Sequence, residues 1–286
     1  MPISYFQGAM LGLLQGVSEL FPVSSLGHSV ILPKLVGWNI HQNAPYFLSF
    51  LVATHLATAL VLLGFFWRDW VRIVKGLGRS LRDREIAPGD SDAKLGWLLV
   101  VGTIPAGILG LTLQDSLRKL FASPQYAAVF LACNGLILYG AELLRRRAPQ
   151  TEADDDARIA RQVGWTQSVV IGAAQALALI PGFSRSGASM GGGLLVGLSH
   201  KDAARFAFLL ATPIIGAAAV LKIPELAGSQ GNGVRGPGAL GAACAAVTAY
   251  LAVRFLMRSF ETRTLTPFAV YCAAAGVAAA IYFAVS

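Results

Sequence analysis

Six stretches of this chain stay apolar for close to the length that crosses a bilayer: 47–67, 95–113, 125–144, 203–221, 239–257 and 267–285. A membrane-crossing helix needs about 20 such residues. Within hydrocarbon only a helix or a closed barrel satisfies its own backbone. The pattern predicts an all-α polytopic membrane protein. Composition agrees: 13% of the 286 residues are charged and 55% hydrophobic, against about 25% charged in a soluble domain. Mean hydropathy is +0.60. The basic pI of about 9.7 does not point to nucleic acid, because the basic residues lie between apolar spans and leave membrane lipids as the surroundings. Cys133, Cys244 and Cys272 all fall in apolar runs. Their odd number argues against a complete disulfide set, and they read as small core residues. No Lys or Arg precedes the first apolar run, so it is not read as a secretory signal.

Two further apolar regions are broken. In the first, residues 5–14 and 29–38 flank the island Ser24-Ser25-Leu26-Gly27-His28. In the second, residues 169–180 and 188–198 flank Ser184-Arg185-Ser186-Gly187. Each arm is too short to cross and suits a re-entrant hairpin. The islands fall in register: a shift of 160 superposes Gly12 on Gly172, Gln15 on Gln175, Ser24 on Ser184 and Gly27 on Gly187. A second match, Phe50-Leu51-Val52-Ala53-Thr54 with Phe208-Leu209-Leu210-Ala211-Thr212, follows at a shift of 158.

Charge sets the orientation. Seven Lys and Arg lie in the loop 68–94, five in 145–161, and Lys201, Arg205, Arg254, Arg258 and Arg263 border the same face. The alternate loops hold Lys34, Arg118, Lys119, Lys222 and Arg235, a ratio of 17 to five that makes the first face cytoplasmic. Three spans separate the two hairpins, so they enter from opposite faces. The expectation is one membrane domain over 1–286 with an inverted-topology repeat, each half a re-entrant helical hairpin plus three transmembrane helices. The halves are 1–146 and 165–286, and 147–164, with Asp154-Asp155-Asp156, is a solvated cytoplasmic linker. Inverted repeats bring their broken tips together near the midplane. That would set Ser24, Ser25 and His28 against Ser184, Arg185 and Ser186, and the register pairs Ser25 with Arg185.

Polar groups at that depth are costly and need a reason. The fork of donors on Arg185 suits phosphate oxygens. Ser184 and Ser186 add hydroxyls, Gly187 lets the backbone approach, and a helix N-terminus favours an anion. Ser25 is a candidate nucleophile and His28 a proton carrier. Glu19 shares a helix face with Gln15 and could act as base, orient His28 or hold a divalent cation. Plainer readings stand beside these. Ser24-Ser25 could cap the second arm, His28 could pack, and Glu19 could be a surface carboxylate. His55, in the third helix, reads as packing or as bonded to Thr54. His41 and His200 read as loop residues. Trp38, Trp67, Trp70 and Trp97 fit interfacial anchors.

At this point the residues carry a family resemblance. Gln15-Gly16-Val17-Ser18-Glu19-Leu20-Phe21-Pro22-Val23-Ser24-Ser25-Leu26-Gly27-His28 resembles the first signature of the undecaprenyl-diphosphate phosphatases, the bacitracin-resistance family. Pro181-Gly182-Phe183-Ser184-Arg185-Ser186-Gly187 resembles the second. The resemblance implies a bacterial inner-membrane enzyme that hydrolyses undecaprenyl diphosphate to the monophosphate, recycling the lipid carrier for peptidoglycan. It implies Ser25 as nucleophile with His28 and Glu19, and Arg185, Ser184 and Ser186 as diphosphate binders, with Ser24, Gln15 and Gly187 beside them. It also implies a divalent cation, Mg or Ca, for which Glu19 is the ligand to consider, and a site opening to the periplasmic face. A homodimer is compatible with this reading. Gln15 and Leu26 stand where the family commonly has an acid and a Thr.

A polyprenyl-phosphate flippase or anion transporter using the same midplane site is the competing reading, since inverted repeats are transporter features. It needs Arg185 but no Ser–His–Glu set. A lipid phosphatase with a histidine nucleophile would need a second His shortly after Arg185, and none follows.

Overall fold

The computed structural model describes residues 2–117, 123–145, 156–228 and 233–285, and among these every regular element is helical. In chain order they are α1 (Tyr5–Leu20), α2 (Ser25–Leu35), α3 (Pro45–Phe65), α4 (Trp67–Asp83), α5 (Ser91–Leu117), α6 (Pro124–Arg145), α7 (Asp156–Gln162), α8 (Trp165–Ala174), α9 (Arg185–Leu195), α10 (His200–Ala227), α11 (Arg235–Ser259) and α12 (Thr266–Val285). A short 3₁₀ turn, Gln175–Leu179, follows α8.

Six helices are long and apolar enough to cross a membrane, α3, α5, α6, α10, α11 and α12, one for each predicted span. The chain is a multi-pass membrane protein. Large side chains such as Leu60, Ile104, Leu136, Val247 and Ile281 are exposed on these helices, as a surface facing lipid requires. Among the described residues α1, α2, α8 and α9 fall outside that set. They pair tip to tip, α1 with α2 through residues 21–24 and α8 with α9 through 180–184.

Small residues set how closely these short helices approach the long ones. Gly8, Gly12 and Gly16 recur every fourth residue on one face of α1, against Pro237, Gly241 and Ala245 of α11. A methyl on Gly12 would sit 2.1 Å from the Gly241 carbonyl oxygen. Gly172 of α8 meets Gly102 of α5 in the same way, at 1.9 Å. Without a hydrophobic driving force between helices in lipid, such backbone proximity is what holds them together.

The structure departs from the sequence reading in the stretches read as cytoplasmic. Much of the stretch read as the loop 68–94 is α4, whose Ile73, Gly76 and Ser80 are buried while Val74 and Leu81 are exposed. Its charges are tied locally: Arg79 binds Asp90 at 2.9 Å, and Asp69 binds both Arg72 and Arg205. The Trp97 indole donates to Ser80 at 2.8 Å, joining α5 to α4.

The linker also differs from a wholly solvated one. α7 lies inside it, with Ile159, Ala160 and the following Val163 buried, and Arg158 in a buried pair with Asp202 of α10. Three apolar residues at near-helical spacing bury one face, which the flanking charges obscured. Asp154, Asp155, Arg118, Lys119 and the boundary at 146–147 lie outside the described residues. His200 opens α10 and faces the buried Glu142 at 2.9 Å. The three cysteines are free thiols, and Cys272 is buried.

Candidate active site

The site grows from two matched helix starts. α2 begins at Ser25 and α9 at Arg185. Each is preceded by a serine whose hydroxyl accepts the N–H three residues on: Ser24 Oγ from Gly27 at 3.1 Å, and Ser184 Oγ from Gly187 at 3.1 Å. Both are N-caps, Ser184 from ordinary extended backbone and Ser24 from a positive φ. Ser24 Oγ also accepts from Gly182 N of the other tip at 3.2 Å. To do so Ser24 adopts φ +69°, a left-handed conformation that a non-glycine residue takes at a cost. Gly182 has φ +109°, and a Cβ there would meet the Ala127 carbonyl at 2.5 Å, so only glycine fits.

Glu19 is the hub. Its side chain is almost fully buried near the end of α1, and four side chains converge on it. Gln15 Nε2 donates to Oε2 at 2.9 Å, one helical turn away. Ser25 Oγ donates to the same oxygen at 2.5 Å. His55 Nε2 of α3 lies 3.2 Å from it. Arg185 Nη2 pairs with the other oxygen, Oε1. Ser25 and Arg185, paired by register alone, meet on one carboxylate. This gives the largely buried arginine its counter-charge.

The surrounding contacts hold this geometry. Asn134 of α6 is buried and bridges the tips, donating to Pro22 O at 3.0 Å and accepting from Ser184 N at 3.0 Å. Ser186 Oγ donates to Phe21 O at 3.1 Å and lies 3.0 Å from Ser184 Oγ. His28 Nδ1 donates to Ser24 O at 2.6 Å, and its Nε2 is 2.8 Å from the Tyr271 hydroxyl of α12. Both ring nitrogens of His28 are therefore engaged away from Ser25 and Glu19. The hydroxyls of Ser24 and Ser184 are committed to capping.

Three partners were not found by sequence reasoning. Asn134 is a lone amide within an apolar span, a signal that went unused. His55 was noticed, but its ring bonds the Leu51 carbonyl and faces Glu19 rather than Thr54. Tyr271 carries no signal, since a Tyr in a membrane helix is ordinary. An apolar groove of about 460 Å³, with Trp70, Leu99, Ile108 and Pro213 among its lining, shares no residue with this cluster.

The model of the bacitracin resistance protein BacA family matches residues 8–278. The chain belongs to that family. Several relatives are similar over nearly their whole length. An undecaprenyl-diphosphatase of Mycolicibacterium paratuberculosis is 52% identical, covering 99% of this chain and 98% of the relative. One from Mycobacterium avium is 51% identical over the same shares. The undecaprenyl-diphosphatase 2 of Chromobacterium violaceum is 45% identical, covering 96% and 98%. The BacA match spans both polar tips, and with them every residue that meets Glu19.

Proposed function

We propose that this protein hydrolyses undecaprenyl diphosphate to undecaprenyl phosphate and inorganic phosphate in the bacterial inner membrane. The observation that carries the reading is the meeting of Ser25 Oγ and the Arg185 guanidinium on the two oxygens of Glu19. A nucleophile hydrogen-bonded to a base, with a guanidinium beside them, is what phosphoryl transfer needs. Membership of the BacA family and the names of its relatives support the substrate.

In this mechanism Arg185 shifts from Glu19 to the diphosphate oxygens. Ser184, Ser186 and Gly187 shape the cradle around them, and the N-termini of α2 and α9 add their positive ends. Ser25 Oγ attacks the terminal phosphorus as Glu19 Oε2 takes its proton. The bond from that phosphorus to the bridging oxygen breaks, and undecaprenyl phosphate leaves with the electron pair. Water then cleaves the phosphoserine, releasing inorganic phosphate and restoring the hydroxyl. His28, three residues beyond Ser25, handles that water once its Nε2 exchanges the Tyr271 hydroxyl for it.

A divalent cation fits the donor set. Gln15 Oε1 is a buried acceptor with no hydrogen-bond partner, and its amide nitrogen already touches Glu19. Among the described residues no three His, Cys, Asp or Glu are grouped to hold a metal. Gln15 and Glu19 would therefore hold Mg or Ca together with diphosphate oxygens. When bound, the ion would neutralise phosphate charge.

The fold behind the site is read as an inverted repeat of two re-entrant hairpins, each with three spans. The matched caps at Ser24 and Ser184 support it, as do the matched approaches of Gly12 to Gly241 and Gly172 to Gly102. The site opens to the periplasmic face in this reading. The test is phosphate release from a polyprenyl diphosphate by purified protein. Replacing Ser25, Glu19 and Arg185 singly with Ala should each abolish it, and near wild-type turnover in all three would refute the assignment.

A further inference from the structure

We infer that His55 is a positioning residue for the reaction: it holds Glu19 Oε2 on the Ser25 hydroxyl. The inference rests on the reading above, in which Glu19 is the base. The His55 Nδ1–H donates to the Leu51 carbonyl one turn back on α3, at 2.8 Å. That bond fixes the ring and uses the Nδ1 proton, so Nε2, 3.2 Å from Glu19 Oε2, donates to the carboxylate when the ring carries both protons as the imidazolium. Gln15 reaches the same oxygen from within α1, at 2.9 Å. His55 is thus the contact that ties this oxygen to a membrane-crossing helix. Without it, the carboxylate is steadied by a residue of its own helix, by the nucleophile, and by Arg185, which is needed elsewhere.

The second copy of the sequence argues that this pair serves chemistry rather than architecture. The run Phe50–Thr54 recurs as Phe208–Thr212, but the next residue is His55 in one and Pro213 in the other. At the shift of 160, Leu179 stands where Glu19 does. Helix α10 forms and packs with Pro213 in place, so the scaffold does not require a histidine here. A structural carboxylate elsewhere looks different. Glu142, also faced by a histidine, accepts the backbone N–H of Leu265 at 3.1 Å, tying two segments together. The hydrogen bonds and ion pairs of Glu19 described above all come from side chains, and from four separate helices.

The experiment compares His55→Leu, His55→Asn and His55→Gln in purified protein, each with a melting curve. Gln carries an amide N–H at nearly the reach of Nε2, and Asn is too short. Leu and Asn should lower kcat about 10- to 100-fold, the scale of a misplaced catalytic group. KM should move less than about threefold, because Arg185 is untouched, and Gln should recover to within about fivefold of wild type. Asn and Gln equally impaired at wild-type melting temperature, or Leu with unchanged kcat, would overturn the inference. Ser25→Ala and Glu19→Gln run in parallel separate the two claims. If they are inactive while His55→Leu is not, only the role of His55 fails. If they too are active, the catalytic reading itself fails.

Discussion

At the scale of the residue, the site depends on which atom each side chain presents. Ser25→Ala removes the one hydroxyl that donates to Glu19 Oε2. Phosphate release should drop by about 10²-fold or more, measured at saturating substrate. Arg185→Lys is the more telling substitution. Lysine keeps the charge but not the fork that would grip two phosphate oxygens. We expect kcat/KM to fall at least about tenfold, roughly 1.4 kcal/mol, while the pair with Glu19 survives. Activity equal to wild type would mean that Arg185 supplies charge alone. These positions were legible because Ser, His and Arg within apolar arms stand out. The hub was less so. Glu19 was visible as a carboxylate, but nothing in the chain says that His55, 36 positions on, faces the same oxygen as Gln15. A polar residue in an apolar run shows that a partner exists, not which one.

At the scale of the element, two devices hold the tips. One is the asparagine bridge: Asn134→Ala would strand Ser184 N and leave Pro22 O with the long Cys272 Sγ contact at 3.7 Å. A loss of about 1–3 kcal/mol follows from one unsatisfied backbone group beside a weakened one, read as a lower melting temperature in detergent. The other is the glycine contact between α1 and α11. Gly12→Val places methyls where Gly241 backbone already lies, 2.1 Å from where the first added carbon would sit. Separation of the helices should cost about 1–3 kcal/mol or more, and activity should fall with stability. The six spans were readable because bilayer thickness fixes their length. Helices α4 and α7 were not. Their apolar faces are narrow and interleaved with Arg, Lys and Asp, so charge density masked the helical period of Ile73, Gly76 and Ser80.

At the scale of the whole molecule, the proposed orientation rests on the basic residues concentrated beside α4, α7 and the start of α10. A cysteine at Lys75 should react with an impermeant thiol reagent only after the cytoplasmic face is exposed. Cysteine in place of Ser25 should react from outside in intact cells if the site opens to the periplasm. Protection of the second would reverse the proposed access. Because Arg185 rests on Glu19, the idle protein carries its own internal counter-anion at membrane depth. In the proposed mechanism, a phosphate group entering the site exchanges with a carboxylate instead of filling a bare positive hole, and on leaving it is replaced by that same carboxylate. The protein therefore has a built-in means of letting go. Inorganic phosphate should inhibit it only weakly, and Glu19→Gln, which keeps the shape and removes the competing charge, should bind phosphate more tightly.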